Sequence, residues 1–118
     1  MENEYPPRPP RKELLFYLNI LDENTHEPLG HLVNLSNEGM MIIITDQPIS
    51  FKKDQVKNVS IQLPDFDEFT KKFIKLQVEV RWMKPDINPN LYRIGCSFVE
   101  INPDDLPIIK QVQDVLGF

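Results

Sequence analysis

The chain has 118 residues, 41% of them hydrophobic and 26% charged, and a formal net charge of −5. That size and composition fit one globular domain with an ordinary apolar core, and the single cysteine, Cys96, excludes an intramolecular disulfide and suits a reducing cytosol. The acidic balance argues against a general affinity for nucleic-acid backbones. The lack of a secretory h-region, or of the roughly 20 apolar residues a membrane span needs, leads us to expect a cytoplasmic location without membrane insertion.

Residues 1–12, MENEYPPRPPRK, read as a flexible basic tail, and residues 13–118 as the single domain. Arg8, Arg11 and Lys12 place three cations within five residues and form the only dense cationic cluster of an acidic chain. Leu14–Leu21 predicts a first strand, apolar on both faces at its start, and DENTHEP supplies a turn. Gly30–Leu35 and Met40–Thr45 predict two strands around the polar break SNEG, and Val59, Ile61 and Leu63 alternate with Ser60 and Gln62 in a fourth. The clearest strand is IKLQVEVRW. There Ile74, Leu76, Val78, Val80 and Trp82 are expected on one dry face, with Lys75, Gln77, Glu79 and Arg81 on the wet one. After KPDINPN, Tyr92, Ile94, Cys96 and Phe98 alternate with Arg93, Gly95 and Ser97.

Six short strands, each with one wet and one dry face, describe a small antiparallel barrel or sandwich. The C-terminus changes period: Leu106, Ile109, Val112 and Leu116 recur at helical spacing, and Ile108 and Val115 widen the stripe. Asp104 or Asp105 can cap this helix, with Pro107 in its first turn. The stripe is expected to pack on the sheet; the competing reading offers it to a partner.

The residues assemble no catalytic or metal constellation. There is no Gly-rich phosphate loop and no HExxH, and His26 and His31 share no helical face, so neither an enzyme nor a metal site is expected. Cys96 falls on a dry face and reads as a structural thiol, while Asp65, Asp67 and Glu68 read as a solvated acidic turn. The polar break in VNLSNEGMMIII is more specific. Asn34, Ser36 and Gly39 follow the pattern N-x-S-x-x-G. Gly39 is expected to supply a backbone conformation that a Cβ would penalise, and Asn34 and Ser36 can turn onto local backbone or onto a ligand.

This turn, preceded by an arginine-bearing segment before the first strand, resembles a PilZ domain. Arg8-Pro-Pro-Arg-Lys12 ends 22 residues before Asn34, close to the separation between the family's R-x-x-x-R segment and its D/N-x-S-x-x-G turn. VEVRW and YRIGCSFVEI are similar to the family's closing strands, and the C-terminal helix sits where PilZ domains have one. The resemblance covers nearly the whole chain and implies a six-stranded antiparallel β-barrel with one C-terminal α-helix.

It also implies a bacterial receptor for the second messenger cyclic di-GMP, with no cofactor beyond that ligand and a downstream protein as partner. Arg8, Arg11 and Lys12 would close over the ligand. The arginine fork suits both phosphate oxygens and the guanine edge. Asn34 and Ser36 would meet a guanine, and Gly39 would shape the turn. The departure from the family pattern lies at Lys12, which stands where the second motif arginine is expected and offers a point charge without the fork. Some PilZ proteins lack the arginine motif and work through protein contacts, so the alternative is an interaction module that binds no nucleotide, of the type that serves type IV pilus assembly.

Overall fold

The computed structural model describes residues 12–45, 51–88 and 90–117, and of residues 12–17 and 45 the backbone alone. Strands β1 (Lys12–Asp22), β2 (Pro28–Leu35), β3 (Gly39–Thr45), β4 (Val56–Gln62), β5 (Phe73–Pro85) and β6 (Leu91–Ile101) close into a barrel in the order β1-β2-β3-β6-β5-β4. Every neighbouring pair is antiparallel and each strand has a neighbour on both sides, although β1 meets β4 only through Ile20–Asp22. Of the two architectures that the alternation allowed, the barrel is the one formed. Alternate residues fill it: Ile20, Leu32, Ile42, Ile61, Ile74 and Ile94 are fully buried.

The alternation fails at one informative place. Along β5, Ile74, Leu76, Val78 and Val80 point into the core. Val80 pairs with Cys96, but the next pair is Trp82 with Gly95, which leaves Arg81 as the extra residue of a β-bulge. The bulge reverses the parity of the strand. Met83 therefore packs against the core, and Trp82, expected on the dry face, lies half-buried on the outside. A second register shift leaves Val99 unpaired and half exposed on β6, beyond Phe98.

A 3-10 turn (Pro103–Asp105) leads into α1 (Leu106–Leu116), which buries Ile109, Val112 and Leu116 in the core. Ile108 and Val115 flank them, half-buried. Leu106 departs from the expected stripe: it opens the helix beside the β2–β3 turn and is 38% exposed. Asp105 holds the N-cap position but makes no capping bond, because its buried carboxylate instead accepts from Lys71 Nζ at 2.6 Å. Asn102 caps the preceding turn by accepting from the Asp104 amide at 3.0 Å. Two glutamines on the polar face also reach the barrel: Gln111 Nε2 donates to the Glu68 carbonyl and Gln113 Nε2 to the Leu35 carbonyl, each at 2.7 Å.

Candidate ligand-binding site at the β2–β3 turn

The chain leaves β2 at Leu35 and enters β3 at Gly39 through a turn that Ser36 organises. The Ser36 amide donates to the Gly39 carbonyl at 2.9 Å. Its Oγ accepts from the amides of Glu38 and Gly39, both at 3.2 Å, and donates to the Gly39 carbonyl at 3.3 Å. Local side-chain bonding of this kind is what serine does well in a tight turn. Of the two uses the sequence left open for this hydroxyl, the local backbone is the one seen.

Gly39 is required for a different reason from the expected one. No glycine among the described residues has positive φ, so no left-handed conformation is at stake. A Cβ at Gly39 would instead overlap the backbone carbonyl oxygen of Cys96 on β6. Glycine lets the turn sit close against β6, where the Phe98 amide donates to the Glu38 carbonyl at 2.8 Å. With the Gln113 bond to Leu35, the turn is held from the barrel on one side and from the helix on the other.

Asn34 is the chemically open member of the motif. It is 7% exposed, and its Nδ2 donates to Met41 Sδ at 3.8 Å. Its Oδ1 is buried and has no hydrogen-bond partner among the described residues. Such an acceptor costs about 1–3 kcal/mol while it lacks a donor, and a donor supplied by a ligand would relieve that cost. A ligand reaches this oxygen only after neighbouring groups shift.

Strand register brings further groups to this place. Lys12 pairs with Leu35 and Glu13 with Asn34, so the start of β1 runs alongside the motif. Arg8 and Arg11, and the side chain of Lys12, lie outside the described residues. In the other direction Asn34 pairs with Met41, Met41 with Gly95, and Gly95 with Trp82, one continuous row across four strands. With neighbouring strands about 4.8 Å apart, the row spans about 15 Å from Asn34 to Trp82. Gly95 has no side chain, and the Trp82 indole lies against it; a Cβ there would overlap the ring. Lys84 Nζ stands 5.2 Å from the indole centroid and forms no ion pair among the described residues. Arg93, farther along β6, is bound to Asp86 at 2.6 Å, and the guanidinium holds that carboxyl below its usual range.

Trp82, Gly95, Lys84 and Met41 were not read from the sequence as site residues. A glycine interrupting a strand marks a close approach, which is the one signal that pointed to Gly95. Trp82 was hidden because unbroken alternation assigned it to the core. Elsewhere, Cys96 packs in the core opposite Met40 and Val80, and burial pushes its thiol up to about 12, so it stays protonated and inert at neutral pH. Among the described residues no cluster of three or more His, Cys, Asp or Glu side chains is placed to hold a metal ion, and no helix is long and apolar enough to cross a membrane.

No curated protein sequence matches the chain. Solved structures do, at low identity. The inhibitor of motility MotI/DgrA of Bacillus subtilis superposes with a TM-score of 0.71 at 19% identity, over 89% of this chain and 49% of that one. MrkH of K. pneumonia, in complex with c-di-GMP, gives 0.69 at 19% identity over 92% of this chain and 51% of that one. The PilZ domain of YcgR from Escherichia coli, with c-di-GMP, gives 0.68 at 13% identity over 93% and 90%. The chain thus spans about half the length of MotI and MrkH, and at these identities the likeness concerns the fold. The family model described as the PilZ domain matches residues 8–115, from the first arginine of the basic segment to the last turn of α1. That span takes in the N-x-S-x-x-G turn and all six strands of the closed barrel, and the chain belongs to the PilZ domain family.

Proposed function

We propose that the chain is a bacterial, cytoplasmic receptor for cyclic di-GMP, with residues 1–12 as a basic tail on the domain formed by 13–118. Arg8, Arg11 and Lys12 close over a ligand seated on the Asn34–Gly39 turn. The observation that carries this reading is the strand register. It sets Lys12 opposite Leu35 and Glu13 opposite Asn34, so the strand that follows the arginine-bearing segment begins beside the motif side chain whose buried acceptor has no partner among the described residues. Arg8 and Arg11 pair with phosphate oxygens or the guanine edge, and Lys12 adds charge without the fork. Asn34 accepts from guanine. Ser36 and Gly39 serve by building the turn and holding it against β6. The family likeness to proteins solved with c-di-GMP supports the choice of ligand. The output is a changed surface offered to a downstream protein, and the chain catalyses no reaction.

Calorimetric titration with cyclic di-GMP, with GMP as the control ligand, tests this. Binding of the dinucleotide that weakens about tenfold or more in Arg8→Ala supports the receptor with a working arginine segment. A folded wild type that gives neither heat nor thermal shift at high ligand concentration ends the receptor reading. The second reading, an interaction module that binds no nucleotide, then takes its place. It draws on a specific feature: a recess of about 450 Å³ beside the turn, lined by Asn37, Leu106, Pro107 and Lys110, in which Leu106 is 38% exposed.

A further inference from the structure

Met41 lies next to Asn34 on β3, is 8% exposed, and does not belong to the barrel's core cluster. Its sulfur receives the Asn34 Nδ2 at 3.8 Å, while Asn34 Oδ1 has no partner among the described residues. A thioether sulfur accepts and never donates, and so does an amide oxygen. Turning the Asn34 amide over would set two lone-pair-bearing atoms against each other and leave the NH2 group without its acceptor. The sulfur therefore fixes which end of the amide is left without a partner among the described residues, and that end is the acceptor, which a ligand meets once neighbouring groups shift.

We propose that Met41 is the positioning residue that makes this site selective for guanine, by orienting the Asn34 amide with its oxygen toward the ligand. The proposal rests on the receptor reading. Guanine presents N1–H and N2–H2 side by side, two donors that one amide oxygen can receive together. Adenine presents its N1 acceptor in the same place, and an oxygen facing it gains no bond and meets another lone pair. With Leu at position 41 the sulfur is gone while the volume is kept, and the amide turns over at little cost. Its NH2 group then serves adenine N1 as well as its oxygen serves guanine. Selectivity falls although every residue of the binding motif is intact.

The test compares the wild type, Met41→Leu and Met40→Leu. Met40 is the neighbouring methionine, which points into the core and is no partner of Asn34. Each protein is titrated with cyclic di-GMP and with cyclic di-AMP, and the side-chain amide protons of Asn34 are followed by NMR without ligand. Met41→Leu is expected to narrow the ratio of the two affinities by about fivefold, the worth of one neutral hydrogen bond, and to move the Asn34 amide signals. Met40→Leu is expected to change neither, even where it shifts the melting temperature. A ratio unchanged in Met41→Leu, or one changed equally in both variants, overturns the assignment and leaves the receptor standing. A wild type that binds neither dinucleotide removes the receptor and this role with it.

Discussion

At the scale of single residues, the motif separates two residues that shape the turn from one that keeps an open acceptor. Ser36 spends its donor and both acceptor positions on the turn, Gly39 removes a side chain that β6 leaves no room for, and Asn34 alone keeps a buried oxygen without a donor among the described residues. The pattern N-x-S-x-x-G was legible in the sequence because its residue types are unusual between two apolar strands. The reason for Gly39 was not. A tight turn suggests positive φ, whereas the constraint comes from the Cys96 carbonyl, 57 residues away along the chain, which no local window contains. The difference has a measurable consequence. Asn tolerates left-handed backbone, so at a position governed by φ it would be the mildest replacement and Ala a worse one. Where the obstacle is a backbone oxygen that cannot swing aside, any Cβ is penalised and larger side chains are penalised more. Gly39→Ala is expected to cost about 1–3 kcal/mol in urea denaturation, and Gly39→Asn at least as much. An Asn variant more stable than the Ala variant would return the explanation to φ.

At the scale of elements, the strand pattern carried most of the barrel and the helix pattern carried α1. Alternation depends only on which side chains face the core, and six paired strands report that face directly. What it could not report was a change of parity without a change of composition. Arg81 is polar and Trp82 apolar, as an unbroken strand would have them, yet the bulge at Arg81 turns the indole outward onto Gly95 and brings Met83 inward. The helix shows a similar limit. Its apolar stripe was readable, but the polar face holds residues with specific partners, and Gln113 looked like any solvated glutamine. Its bond to the Leu35 carbonyl joins α1 to the peptide that links Leu35 to Ser36. Replacing it with Leu removes the donor and leaves that carbonyl facing a methyl group, a loss of about 1 kcal/mol or more. Because the same bond braces the turn, Gln113→Leu is expected to weaken cyclic di-GMP by a few fold as well, with Gln111→Leu as the comparison. Gln111 binds the Glu68 carbonyl in the β4–β5 connection and makes no bond to the turn, so its loss should lower stability and spare affinity. Equal effects on affinity in the two variants would separate the helix from the site.

At the scale of the whole molecule, an acidic chain holding a dianionic ligand must concentrate its cations locally, and the sequence does so in the five residues from Arg8 to Lys12. The remaining acidic surface disfavours polyanions, which need a broad basic face, but a small ligand enclosed by two arginines, as proposed, would be insulated from distant carboxylates by screening over about 10 Å. The barrel itself supplies a rigid base, since its strands close on one another and α1 is tied down by its apolar stripe, by the Lys71–Asp105 pair and by both glutamines. Such a domain is expected to unfold as one cooperative unit, so that a ligand bound by the folded state alone stabilises all of it by mass action. At a free ligand concentration one hundred times the dissociation constant the stabilisation is about 2.7 kcal/mol, which for a chain of this size corresponds to a rise of roughly 10 °C in melting temperature. Cyclic di-GMP should therefore raise the wild-type transition by about that amount as a single sharpened step. Arg8→Ala, whose melting without ligand should match the wild type because the arginine precedes β1 in the chain, should rise by only a few degrees at the same ligand concentration. A variant that melts early without ligand would make Arg8 a structural residue; one that rises as far as the wild type would take the arginine segment out of the binding site.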